Sequence, residues 1–107
     1  MAEWIDVCAT ADIEEEDVLR FAHGGAVYVA VRDDADNFYV VDGLCTHEHV
    51  ELAEGFVFGC VLECPRHQGR FNLRDGRPSG GPVTEGLRSY ETRVDNGRLL
   101  ARLDEAT

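Results

Sequence analysis

No stretch of this 107-residue chain stays apolar for longer than the six residues from Ala26 to Val31. A membrane-crossing helix needs about 20 such residues, so none is expected. The first residues, MAEWIDVCATADIEEED, contain no basic segment followed by an apolar one, so a secretory leader is not expected and the chain reads as cytoplasmic. Positive charge is scarce as well, with 10 basic residues against 21 acidic ones and a formal charge of −11. Phosphate backbones and anionic membranes would be repelled, which argues against nucleic acid and membrane partners. The same field would draw in a protein with a basic docking patch and speed its encounter at low salt. Helix-period patterning, internal repeats, low-complexity tracts and linkers are also missing. The glycine pairs at 24 to 25 and 80 to 81 lack the lysine and helix of a phosphate-binding loop, so turn geometry explains them.

What the chain does have is 44% hydrophobic residues, enough for one core, and 11 glycines, which suggest many tight turns. Its length suits a single domain, residues 1–107, because two cores would leave each half too small. Apolar and β-branched residues fall into eight short runs: Trp4 to Val7, Val18 to Phe21, Ala26 to Val31, Phe38 to Val41, Phe56 to Glu63, Gly69 to Leu73, Leu87 to Val94 and Leu99 to Leu103. Turn-rich pieces separate them. Asp95-Asn96-Gly97 is a strong hairpin signal, since Asn-Gly accepts the positive φ of a type I′ turn. The pattern predicts an all-β fold, an antiparallel sandwich or small barrel. The acidic run within Ile13 to Leu19 reads as a solvated loop entering a strand, and Glu14 and Glu15 as solvated charges.

Two segments combine cysteine with histidine: Cys45-Thr46-His47 and Cys64-Pro65-Arg66-His67, with sixteen residues between them. Thiolate and imidazole bind iron and zinc well, and each segment offers one of each within roughly 7 to 11 Å of extended chain. Two loops could therefore grip one metal centre. Structural zinc usually pairs cysteine with cysteine and histidine with histidine at short spacing. The mixed pairs here suit a two-iron cluster in which two thiolates hold one iron and two histidines the other. A structural zinc module remains the rival, and would be colourless.

The boxes C-x-H and C-x-x-H resemble those of the Rieske family, and the similarity extends to the strand pattern and to Pro78-Ser79-Gly80-Gly81-Pro82, which resembles the loop that shields the cluster there. The resemblance implies one Rieske-type [2Fe-2S] cluster. Cys45 and Cys64 would hold the inner iron, and His47 and His67 the outer one near the surface, where the electron leaves. High-potential members carry an extra cysteine in each box, joined as a disulfide, but the corresponding places hold Val50 and Arg66. They also set serine and tyrosine hydroxyls against the sulfurs, where Arg70 and Asn72 are expected here. Fewer hydroxyl bonds imply a potential near the lower end of the family range of about −150 to +300 mV.

The implied function is that of a soluble, monomeric ferredoxin rather than an enzyme. It would pass single electrons from a flavin-containing, NAD(P)H-dependent ferredoxin reductase to a terminal oxygenase that hydroxylates aromatic rings. His47 and His67, with nearby Glu48 and Arg66, are the docking candidates. The alternative is the small subunit of an assimilatory nitrite reductase, although members of that group often lack the cluster ligands. A catalytic oxygenase is disfavoured, because only His23 and His49 remain for a second iron site. His49 is a weak competitor for the ligand role, and His23 reads as a surface residue. Cys8 and Cys60 read as packed thiols in strands, with a disulfide between them a minor alternative. Trp4 is expected to cover one end of the core.

Overall fold

A computed structural model describes residues 3–46, 49–66, 68–81 and 83–103. Its strands are β1 (Ile5–Ala9), β2 (Asp17–His23), β3 (Ala26–Arg32), β4 (Phe38–Asp42), β5 (Phe56–Phe58), β6 (Val61–Glu63), β7 (Arg70–Asn72), β8 (Pro78–Gly80), β9 (Ser89–Asp95) and β10 (Arg98–Arg102). The helical pieces among the described residues are two single 3-10 turns, Thr10–Asp12 and Leu52–Glu54. The expected all-β architecture is therefore present. One sheet runs β1-β10-β9-β4-β3-β2 and a smaller one β5-β6-β7-β8. Neighbouring strands are antiparallel throughout the described pairings. Strand β9 joins the two halves of the large sheet by pairing with β4 through Ser89 and Tyr90 and with β10 through Glu91 to Asp95.

The hairpins follow from their turn residues. Asn96 (φ 49°) and Gly97 (φ 74°) form the two-residue turn that sets Asp95 opposite Arg98, as the Asn-Gly signal predicts. At the β3–β4 hairpin the chain uses a side chain instead of glycine. Asp33, 2% exposed, accepts the backbone N–H groups of Ala35 and Asn37 at 2.9 and 2.8 Å, the Asn37 amide at 3.2 Å and the Tyr39 hydroxyl at 2.9 Å. Four donors thus replace the water that burial of this carboxylate removes.

Two differences from the expected strands have local causes. The run from Phe56 to Glu63 splits into β5 and β6 because Gly59 (φ 57°) turns the chain, and the Glu16 carboxylate accepts the Gly59 N–H at 2.9 Å. Pro78–Gly80, expected as loop, is a strand on the outer edge of the small sheet, where a missing proline N–H costs no ladder bond. The acidic run does enter β2 as an exposed loop, with Ile13 beneath it buried in the core.

Strands β3 and β4 are buried on both faces, and their alternation feeds two cores. Tyr28, Ala30 and Val40 pack with Cys8, Ile13 and Leu99 on one side. Val29, Val31 and Val41 pack on the other with Leu52, Leu62, Phe71, Leu73, Cys45 and Cys64. Cys8 is a buried thiol in β1, as expected; Cys60 is instead half-buried in the β5–β6 turn, because Gly59 breaks the strand there. Neither forms a disulfide. Trp4 is half-buried, with the Arg93 and Arg102 guanidiniums 5.2 and 5.6 Å from its ring. His23 is exposed, and Glu14 and Glu15 are solvated.

Burial alone would raise the Asp33 pKa, but the bonds from Asn37, Ala35 and Tyr39 outweigh it and hold the carboxyl below its ordinary value. A folded value below the unfolded one means the contribution to stability is complete above about pH 4 and is lost as the pH falls through the lowered folded value. Asp33→Ala should lower unfolding free energy at neutral pH by about 2 kcal/mol and flatten the acid limb of stability, measured by urea unfolding between pH 2 and 7. An unchanged acid limb would show that Asp33 does not carry that titration.

Candidate metal centre

The two cysteine-bearing loops are built alike despite their different spacings. Each cysteine donates its backbone N–H to the carbonyl five residues ahead, Cys45 to Val50 at 2.9 Å and Cys64 to Gly69 at 2.7 Å. In each, the residue just before that carbonyl has a left-handed backbone, His49 at φ 57° and Gln68 at φ 58°. These reversals close both loops tightly and return the chain beside its own start. Further bonds fasten the first loop, from His49 N–H to the Cys45 carbonyl at 2.7 Å and from Leu52 N–H to the Gly43 carbonyl at 2.9 Å. The second loop joins β6 to β7, whose pairing sets Glu63 opposite Arg70.

Both cysteines are 1% exposed and belong to one core with Leu52, Leu62, Phe71 and Val83. The fold therefore delivers two thiols from two loops to the same apolar body, which fits a sulfur-ligated metal group, because thiolate charge needs a metal or hydrogen bonds where water is excluded. His47 and His67, the other two residues singled out by the boxes, lie outside the described residues, as does the docking candidate Glu48. His49 is exposed, and among the described residues no group of three Cys, His, Asp or Glu side chains converges as a metal set. Val50 packs partly buried against the core, while Arg66 is exposed.

A third segment straps the two loops together, a feature that box-matching alone does not reveal. A β-carbon on Gly81 (φ 75°) would lie 2.5 Å from the Gln68 carbonyl oxygen and 2.9 Å from the Gly69 Cα, so the chain passes directly over the second loop. A β-carbon on Gly69 would come within 2.6 Å of Val83 Cγ1. At the first loop the Thr46 hydroxyl donates to the Glu85 carbonyl at 2.7 Å. Gly81, Val83 and Glu85 thus touch the two loops between them, and Leu87 N–H closes the strap on the Gly76 carbonyl at 2.8 Å. The loop expected at Pro78 to Pro82 begins as strand β8, and its covering part lies from Gly81 onward; Pro82 lies outside the described residues. The sequence signal for this contact was the pair Gly69 and Gly81, the positions where backbones come too close for a side chain.

The expectation that Arg70 and Asn72 occupy the places of hydroxyls facing the sulfurs needs correction. Side chains alternate along β7, so Gly69, Phe71 and Leu73 are buried toward the core that holds the cysteines, while Arg70 and Asn72 are turned from it. Arg70 instead pairs with Glu63 at 2.8 Å, and the Asn72 side chain accepts the Arg74 N–H at 2.9 Å. The inward positions carry no hydroxyl either, so the absence of such donors on this strand stands for a different reason.

A family model for the Rieske [2Fe-2S] domain matches residues 3–91. The ferredoxin component of the naphthalene 1,2-dioxygenase system of Pseudomonas putida is 35% identical over 101 residues, covering 94% of this chain and 96% of the relative. Among solved structures, the complex of reduced oxygenase and oxidized ferredoxin in carbazole 1,9a-dioxygenase contains a chain that superposes with a TM-score of 0.86 at 34% identity, covering 92% of each. A nitrite reductase small subunit from Mycobacterium tuberculosis superposes with a TM-score of 0.82 over 94% of this chain, but at 18% identity it shows the shared fold alone. The paired cysteine loops, the strap across them and these matches agree: the chain belongs to the Rieske [2Fe-2S] domain family.

Proposed function

We propose that this chain is a ferredoxin of an aromatic ring-hydroxylating dioxygenase system, carrying single electrons from an NAD(P)H-dependent flavin reductase to a terminal oxygenase in the cytoplasm. The observation that carries the reading is the pair of matched loops that bring the Cys45 and Cys64 thiols into one core, on a chain 35% identical along nearly its whole length to a ferredoxin component. In this reading Cys45 and Cys64 hold one iron of a single [2Fe-2S] cluster, and His47 and His67 hold the other. When bound, that cluster accepts and donates one electron, and neutral imidazoles on one iron raise its potential over an all-thiolate site.

The chain's own residues supply the rest. The N–H groups of Cys45 and Cys64 are spent on Val50 and Gly69, so each cysteine backbone is pinned by the chain itself. The strap formed by Gly81, Val83 and Glu85 limits how far the loops can separate, and a fixed geometry keeps reorganisation on electron transfer small. A net charge of −11 raises the encounter rate with a basic partner at low salt and lets it leave quickly at higher salt.

Purified anaerobically, the protein should hold two irons per chain, give a reduced-state EPR spectrum of histidine-ligated iron, and support turnover with the reductase and oxygenase encoded beside it. A colourless protein with one zinc would overturn the cluster assignment, since the same two cysteines and two histidines can hold zinc. Redox titration should place the midpoint near the lower end of the family range, about −150 mV, since neither a disulfide nor inward hydroxyls on β7 stabilise the reduced state. A midpoint well above 0 mV would contradict this account of the loops.

Gly81→Ala should cost roughly 2 to 3 kcal/mol and speed loss of visible absorbance on storage, because it adds a clash to the strain of its positive φ. Gly97→Ala is the comparison, with φ 74° but open space around it. It should cost about 1 kcal/mol and leave cluster loss unchanged. Equal behaviour of the two variants would mean the strap does not hold the second loop.

A further inference from the structure

The small sheet turns its second face to solvent. Phe56 and Phe58 alternate outward on β5 with 54% and 55% of their surface exposed, and their rings stack with centroids 6.3 Å apart. Val61, paired with Phe58, extends the apolar surface onto β6. From there a concavity of about 510 Å³, lined by Phe58, Val61, Glu63, Gln68 and Arg70, runs to the second cysteine loop. Gln68 directly follows the box residue His67, so the apolar face and that loop form one continuous surface. Two neighbouring exposed phenylalanines lower solubility without adding to the core, which marks such a patch as a contact site.

The border of the patch along β5 is acidic, with the exposed Arg66 lining a concavity beside Glu54 toward the second loop. Glu16 is bonded to the Gly59 N–H at the far end of β5, the Asp34 carboxylate lies 3.9 Å from where a Gly59 β-carbon would stand, and Glu54 is exposed two residues before Phe56. The cation among the lining residues, Arg70, is engaged by Glu63. With a charge of −11, a second copy of this chain would meet like charge around the same phenylalanines. A surface with apolar side chains ringed by lysine or arginine meets opposite charge instead.

We propose that Phe56, Phe58 and Val61, with the concavity leading to Gln68, form the seat of a redox partner that presents apolar side chains within a basic ring. This rests on the electron-carrier reading and adds to it a lateral contact that would orient the partner beside the second loop. Aromatic side chains at the centre of a contact dominate its energy, while the charged border governs how fast it forms.

The test uses the holoprotein with the reductase and oxygenase encoded beside it. Phe56→Thr/Phe58→Thr should raise the KM of one of those partners for this protein by about tenfold, with kcat, visible spectrum and midpoint potential unchanged. Glu54→Lys should slow association at low salt and flatten its salt dependence. Hydrogen exchange on the wild-type chain should show new protection over residues 56 to 63 when that partner is added, which decides the matter even where the double variant fails to fold. Wild-type KM values for the folded double variant, or no protection at 56 to 63, overturn the proposal while leaving the carrier function standing. A wild-type protein that transfers no electrons overturns the carrier reading and the proposal with it. A dimer in sedimentation that the double variant abolishes also overturns it, because the occupant is then a second copy.

Discussion

Two backbone hydrogen bonds hold the rest of the site in place: Cys45 N–H to the Val50 carbonyl and Cys64 N–H to the Gly69 carbonyl. Each closes a five-residue reversal that needs a left-handed residue at its fourth step, and each leaves its cysteine side chain pointing into apolar packing. The strap lies against the second loop because Gly69 and Gly81 allow the backbones to touch, and against the first through Thr46. Without those closures nothing would direct the two thiols into one core. Burial makes the arrangement demanding, since a thiolate in this core is tolerated only when a metal or hydrogen bonds share its charge.

The body of the protein meets that demand by being buried on two sides. Strands β3 and β4 send alternate residues to two cores, so the core behind the cysteines is backed by a sheet that is itself supported from behind by Cys8, Ile13 and Leu99. The small sheet contributes Leu62 and Phe71 to the same core and keeps its other face free for Phe56, Phe58 and the Glu63–Arg70 pair. One thin layer therefore serves both the inside of the site and its flank. This gives the proposed lateral contact a short physical route to the second loop.

Legibility in the sequence followed the range of the interactions involved. Asn96-Gly97 and Gly24-Gly25 announced their hairpins because a positive φ is a property of the residue itself. The strand β8 was hidden, since its proline pairs only with a neighbour at the sheet edge, and the break at Gly59 was masked by apolar residues on both sides. The resemblance places Arg70 and Asn72 where hydroxyls face the sulfurs in high-potential members; the pleat of β7 turns them outward and brings Gly69 and Phe71 in. Cys60 reads as a strand thiol because apolar residues flank it, although the glycine beside it makes a turn.

By itself the sequence determined the all-β class, the hairpin turns, the acidic character and the family, because each depends on residue type and spacing along the chain. Only the tertiary structure decided that Cys45 and Cys64 enter one core, that Gly81, Val83 and Glu85 bridge the two loops, and that Phe56 and Phe58 stay exposed. These are contacts between segments tens of residues apart, set by which faces of the strands are packed together. The composition of either segment does not specify which distant backbone will lie against it.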